Sequence, residues 1–271
     1  MLRSLEIREA LLRETNATLQ AIAQALFKSW FVDFDPVRAR QQGLAPAGMD
    51  DATAALFPDS FAESMLGLVP KGWRGGTSGD LAGLNSQSWS GRRHPERVAY
   101  LDLANVKDNE VAAVAEFAFA EAPSRARRVL CSGDTIVGTV RPGNRSFAFI
   151  HAPVPGLTAS TGFAVLSPRV AGNTAFVYFA ATQEASIEHL SHVADGGANP
   201  AVRPDVVSSL ACVVPSAEVL RAFNAVACPL LMKVSANQQQ AQTLATLRNT
   251  LLPRLISGRL RLPQTGEECQ A

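Results

Sequence analysis

"LFKSWFVDFDPVRA" occupies Leu26–Ala39 and puts Phe27, Trp30, Phe31, Val32 and Phe34 within eight residues. A membrane span needs about twenty largely uncharged apolar residues. Lys28, Asp33 and Asp35 interrupt this run, so the aromatics must pack against protein.

Upstream, Leu5–Phe31 contains neither Gly nor Pro, and Leu5, Leu12, Leu19 and Leu26 recur every seventh position. This predicts a heptad-patterned helix about 40 Å long. Ile22 is expected at the other seam position, which Arg8, Thr15 and Ser29 weaken. The last turn is broader and more apolar than a two-stranded seam requires, so the helix end should dock against another body.

A second long helix is predicted from Ser216, a capping residue, to Gly258, a natural helix stop. Leu220, Phe223, Ala227, Leu230, Val234, Asn237, Ala241, Leu244, Arg248, Leu251 and Leu255 alternate in steps of three and four. Pro229 and Pro253 should kink it. Glu6, Glu9 and Glu14 open the first helix, while Arg248 and Arg254 close the second, which favours antiparallel pairing within one chain or between two. Residues 37–66 hold Gly, Pro and acidic residues and read as a linker.

Between the helices the pattern shifts to short runs bounded by turns: "RVAYLDLANV", "DTIVGTV", "SFAFI", "GFAVLSP", "AFVYFAAT" and "ACVVP". All six read as strands, with helices expected around Ala181–His189 and after Arg203. The expected fold class is a mixed α/β domain flanked by two long helices that form an antiparallel coiled coil. Trp73 reads as a structural anchor at the domain edge, and Asp134 as a turn residue.

Composition narrows the function. The 271 residues carry a formal net charge of +1, which excludes a global polycationic signature, so any nucleic-acid footprint must be local. The charged N-terminal residues break up any signal-peptide core, and Cys131, Cys212, Cys228 and Cys269 lack metal-site spacing; reduced cysteines in a cytoplasmic protein are expected. Arginines cluster at Arg92/Arg93, at Arg125/Arg127/Arg128 and at Arg141/Arg145, with Arg203 apart. Their planar donor forks suit phosphates and guanine edges; the alternative is an ordinary charged surface. Thr139, Arg141, Asn144, Ser160 and Thr161 are the candidates for reading base edges. His94, His151, His189 and His192 lack zinc or nuclease spacing, and no Asn-Pro-Pro-Tyr, GxGxxG or phosphate-loop motif is present. Neither catalysis nor a cofactor is expected of this chain.

Three stretches carry a resemblance. "LRETNATLQAIAQALFKSWFVDFDPVRA" resembles the central conserved helix, with its aromatic segment, of the specificity subunits of type I restriction–modification enzymes. "SGDTIVGTVRPGNRSFAFIHA", "LTASTGFAVLSP" and "GGANPAVRPDVVSSLACVVP" resemble a target-recognition domain of that family, and "NQQQAQTLATLRNTLLPRLISGRLRLP" its distal conserved helix. The resemblance implies a non-catalytic subunit that reads double-stranded DNA, with methyltransferase and restriction subunits as partners. A full subunit of this family holds two recognition domains. Only one is present here, which implies a half-length or truncated form, with a homodimer or a second half-subunit completing the surface. The implied layout is a helix with aromatic segment (1–36), a linker (37–66), a recognition domain (67–215), a coiled-coil helix (216–262) and a tail (263–271). Phe27, Trp30, Phe31 and Phe34 are then expected to join the helix to the recognition domain or to the methyltransferase partner. A coiled-coil adaptor that binds protein rather than DNA is the alternative.

Overall fold

The Gly- and Pro-free run is a single helix, α1 (Leu2–Phe31). The structure is a computed structural model and describes residues 2–257. The expected helix stop at Gly258, the extension to 262 and the 263–271 tail lie outside the described residues. After α1 come two short helices, α2 (Asp35–Gln41) and α3 (Asp51–Ala54), and a hairpin of β1 (Phe61–Ser64) and β2 (Gly67–Pro70). The stretch read as a linker is therefore structured. Its turn residues punctuate short elements, and its Phe57 enters the core at 2% exposure.

Next follow β3 (Arg74–Thr77), α4 (Ser78–Leu81), β4 (Ala82–Leu84) and β5 (Arg97–Leu101), then β6 (Val106–Lys107), β7 (Glu110–Val111), β8 (Ala115–Ala118) and β9 (Ala126–Val129). The chain continues with β10 (Thr135–Gly138), β11 (Phe147–Phe149), β12 (Leu157–Ser160) and β13 (Phe163–Pro168). It ends with α5 (Thr174–Thr182), α6 (Glu184–Val193), α7 (Pro204–Ser208), β14 (Ala211–Val214) and α8 (Ala217–Ile256). This is a mixed α/β chain with long terminal helices. Pairing of β3 with β14 brings the two ends of the central domain together beside those helices.

Two four-stranded sheets build the domain. One is antiparallel in the order β11–β10–β13–β4; the other runs β8–β5–β12–β9, with β5 and β12 parallel. Alternation along the strands assigns each face of the first sheet. Ile136, Ala148, Phe163 and Val165 join the second sheet's Ala99, Leu101 and Ala159 in one core. Val137, Phe147, Phe149, Ala164 and Leu166 point the other way, into a core shared with α5. Both faces are covered, which explains why these strands read as continuous apolar runs.

That double coverage also explains a misreading. "AFVYFAAT" is not a strand; it is most of α5, every residue of which is buried. A short apolar run buried on all sides carries no periodicity that separates strand from helix.

The helices α1 and α8 pack along each other. Glu9 meets Arg248, Asn16 meets Asn237 and Phe27 meets Phe223, so numbering rises along one as it falls along the other. The second seam position of α1 is Glu9, Asn16, Ala23 and Trp30, all buried, and not Arg8, Thr15, Ile22 and Ser29. Ile22 is 47% exposed. The leucine repeat fits a stripe displaced by three residues or by four, and only the partner helix selects between them. Two polar contacts mark the choice: Asn237 Nδ2 donates to Asn16 Oδ1 at 2.8 Å, and Arg248 Nη1 donates to Glu9 Oε2 at 3.1 Å. A buried amide pair penalises other registers, because slippage would leave both amides unpaired. Ser216 receives the Val219 N–H at the start of α8, which then continues through Pro229 and Pro253. Ala217–Pro253 is long and apolar enough to cross a membrane by length and composition, but Val219, Leu220, Phe223, Ala227 and Leu231 belong to the main core.

Asp134 lies between the Ser132–Gly133 turn and β10, with its carboxylate buried and accepting the Cys131 N–H at 2.7 Å. Burial raises its pKa above the ordinary 3.8, against the opposing hydrogen bonds from Cys131 and Ser167. A carboxyl with a raised folded-state pKa contributes stability below the unfolded value and loses it as pH rises through the folded value. Asp134→Asn keeps an acceptor for Cys131 without the charge. Its stability relative to the parent should therefore be greater at about pH 7 than at about pH 3. Equal differences in urea midpoint at the two pH values would contradict this.

Candidate nucleic-acid interface

The strand β9 edges the second sheet, and residues 87–89 run along it. Trp89 N donates to Arg127 O and Val129 N to Gln87 O, while Ser88 bridges to Arg128. This lay-by carries Arg92 and Arg93 to the surface. Both are exposed, and neither guanidinium has a hydrogen bond or ion pair among the described residues. Arg127 bonds only its neighbour's carbonyl and lies 5.1 Å from the centre of the Phe119 ring, on which His94 also stacks. Arg127 and Arg128 lie on β9 itself, ahead of the turn at Ser132 and Gly133.

The other arginines differ in how firmly they are held. Arg125 donates to Tyr100 Oη at 2.8 Å and to Asp102 at 2.6 Å; the tyrosine bond, then the charges of Tyr100 and Asp102, raise its pKa. Arg128 is half-buried, with Nε unpaired, and desolvation lowers its pKa. Arg203 pairs with Asp205 at 3.0 Å. Arg145 is held by both Asp108 and Glu184, and its bond to Asp108 is the main cause of its raised pKa.

A second concavity of about 690 Å³ is lined by residues including Lys107, Arg141, Asn144 and Asn199. Arg141 and Arg145 flank the Pro142–Asn144 turn, and both have positive φ, +48° and +60°. Such backbone costs of order 1–3 kcal/mol per residue and persists only where surroundings enforce it. Here the Arg141 N–H is bonded to Pro200 O and its Nη2 to Ala198 O. Asn144 and Thr161 are exposed. Thr161 N bonds Arg125 O, and Leu103 of the concavity presses on Gly162, where a Cβ would lie 2.4 Å from Leu103 Cδ1. The β9 edge and the concavity therefore meet through the 160–162 turn.

Two candidate base readers are withdrawn from this surface. Thr139 Oγ1 donates to Gly162 O, and Ser160 Oγ accepts the Gly162 N–H; both residues are buried, so these hydroxyls shape the turn. Lys107 and Asn199 were not singled out from sequence. Lys107 belongs to a two-residue hairpin whose "KDNE" is a legible turn signal, but its place beside Arg141 depends on tertiary packing.

The aromatic cluster is elsewhere. Phe27, Trp30 and Phe31 are buried inside this chain against Phe57, Trp73, Phe176 and Phe223, and Phe34 packs on Phe61 and Trp73. Of the two docks expected for these four, the recognition domain or a methyltransferase partner, the structure shows the first: Phe27, Trp30 and Phe31 are buried against this chain's own domain, and Phe34 is half-buried beside them.

No protein-family model matches the chain. It is 24% identical to the type I restriction enzyme HindI specificity subunit of Haemophilus influenzae, over 91% of this chain and 63% of that subunit. It is 21% identical to the MjaIX specificity subunit of Methanocaldococcus jannaschii, over 93% and 55%. Among solved structures it matches the type I S subunit from M. genitalium, with a TM-score of 0.56 at 12% identity over 94% of this chain and 58% of that one. It also matches the HsdS subunit from Thermoanaerobacter tengcongensis, with a TM-score of 0.51 at 22% identity over 75% and 54%. The fold is that of type I restriction–modification S subunits, and the sequence relatives are specificity subunits of such enzymes. The chain spans a little over half the length of the relatives it matches.

Proposed function

We propose that this chain is a DNA-recognition subunit of a type I restriction–modification complex, itself non-catalytic and cytoplasmic. The recognition domain is the body between the long helices. In this reading the domain is entered near Phe61, which the β1–β2 hairpin supports in place of 67, and runs to about 215, just before α8. In this reading α1 and α8 form an antiparallel coiled coil that spaces the domain from a second one, supplied by another copy or by a second half-subunit. The helices would position methyltransferase and restriction subunits.

The observation that carries the reading is two groups of cations with no carboxylate partner among the described residues, Arg92, Arg93 and Arg127 at the β9 edge and Lys107 and Arg141 at the concavity, on a chain whose relatives are specificity subunits. A protein of net charge +1 leaves such cations without counter-charges at a cost in self-repulsion. A duplex phosphate backbone offsets that cost, and each contact releases bound counterions. Arg141, Asn144 and Thr161 remain as base-edge candidates, while Arg125, Arg128, Arg145 and Arg203 support the surface that presents them.

The test is binding of labelled duplex at several salt concentrations, followed by co-expression with the methyltransferase subunit and mapping of methylated adenines. Affinity should fall linearly with salt on logarithmic axes, and one sequence motif should emerge. A folded protein with no salt-dependent DNA affinity would favour the protein-binding adaptor.

A further inference from the structure

The aromatic knot holds one end of α1 to the recognition domain, and the first turns of α8 join the same core. A second attachment lies about 10 Å further along the helix, at the level of Gln20. It is made by the β6–β7 hairpin, whose turn residues Asp108 and Asn109 both have positive φ, +47° and +66°. Lys107 faces Glu110 across the pair, so this is a two-residue turn of the mirror-image kind that matches strand twist. Asn and Asp tolerate that backbone better than other residues with a Cβ.

Asn109 is 4% exposed and bonded on every side. Its N–H donates to Phe147 O, and its Oδ1 accepts the Phe149 N–H at 2.8 Å, which ties it to β11. Its Nδ2 donates to Gln20 Oε1 on α1 at 3.2 Å, and its carbonyl accepts Gln238 Nε2 of α8 at 2.6 Å. Gln242 of α8 donates to Val111 O at the end of the same hairpin. Around these bonds the facing residues are small or polar, including Ala17, Ala112 and Ala241, and they enclose a space of about 350 Å³. The contact is hydrogen-bonded with little apolar packing, in contrast to the knot. Asp108 also grips Arg145, which carries the connection to α6 and to the edge of the Arg141 turn.

We propose that the Val106–Val111 hairpin is a polar strut that sets the angle between the recognition domain and the helix pair, with Asn109 as its positioning residue. Its consequence for DNA rests on the function proposed above: the strut would set the direction in which the Arg141 turn faces, without itself reading sequence. The angle is a property of the protein alone and is measured without DNA.

Spin labels at exposed Cys131 in the domain and at Thr18→Cys on α1, with the other cysteines replaced, report the angle as a distance distribution by double electron–electron resonance. Asn109→Gly accepts the positive φ and removes the side-chain bonds. The triple variant Gln20→Ala, Gln238→Ala and Gln242→Ala removes these helix-side bonds and leaves the hairpin's own bonds to β11 intact. Both variants should give a broader distribution than the parent, while the tryptophan emission of the knot stays unchanged. If Asn109→Gly does not fold, the glutamine triple decides. A parent-like distribution in the glutamine triple overturns the strut, whatever Asn109→Gly shows, since Asn109 would then act only within the domain. A broadened distribution in a protein that binds no DNA would support the strut and refute the functional reading separately.

Discussion

Replacing Trp30 with alanine should lower the stability of the whole chain by about 3–5 kcal/mol, the range typical for deleting a buried tryptophan or phenylalanine side chain. Trp30 is 5% exposed. Its ring lies 5.1 Å from that of Phe57 at 89°, 5.6 Å from Phe223 and 6.0 Å from Phe31. Edge-on aromatic pairs add about 0.5–1.5 kcal/mol beyond the area they bury. Phe57 comes from the 37–66 segment, Phe223 from α8 and Phe31 from α1 itself, so one ring joins three separated parts of the chain. Against a typical total of about 5–15 kcal/mol the loss is large. Urea unfolding should show a lower midpoint in the isolated protein, and Trp30→Phe should recover much of it. An unchanged midpoint for Trp30→Ala would mean that the knot does not hold the helix to the domain, and would restore a partner-docking role for the aromatics.

The second large effect is on DNA. Combining Arg92→Ala, Arg93→Ala and Arg127→Ala removes the three most lightly held guanidiniums of the β9 edge. The slope of log affinity against log salt should fall by about 0.9 per lost phosphate contact, so by nearly three in all. Near 0.1 M salt this corresponds to a loss of roughly two to three orders of magnitude in affinity for any duplex. Arg145→Ala is the contrasting case. Its guanidinium is already shared by Asp108 and Glu184, so its removal should disturb the support of the Arg141 turn and leave the salt slope near the parent value. Equal slopes for the triple variant and the parent would place the DNA on another face. A full unit lost with Arg145 alone would show that its two carboxylates release it on binding.

Long-range patterning was legible where one periodic face met one partner. The Gly- and Pro-free run with leucines every seven residues forms α1, and the steps of three and four from Leu220 to Leu251 follow the buried or half-buried side of α8 with few departures. The aromatic end was legible as a docking element because no soluble surface accommodates so many adjacent rings. The identity of its dock was not, since Phe57, Trp73, Phe176 and Phe223 are far apart in sequence and no periodicity links them.

The residues of this chain determined by themselves that two long helices bracket an α/β body, that its cations are local, and where its turns fall. Tertiary structure alone decided three further matters, each a choice between states of nearly equal local energy. It selected Glu9–Asn16–Ala23–Trp30 over the stripe containing Ile22, because a heptad of leucines fits either until Asn237 and Arg248 arrive. It made "AFVYFAAT" a helix, because complete burial erases the polar face by which helix and strand are told apart. It divided one set of arginines into held and free, because a guanidinium is exposed or neutralised according to which carboxylates the fold brings to it. Asp108 and Glu184 reach Arg145 from 37 and 39 residues away, and none reaches Arg92 or Arg93 among the described residues.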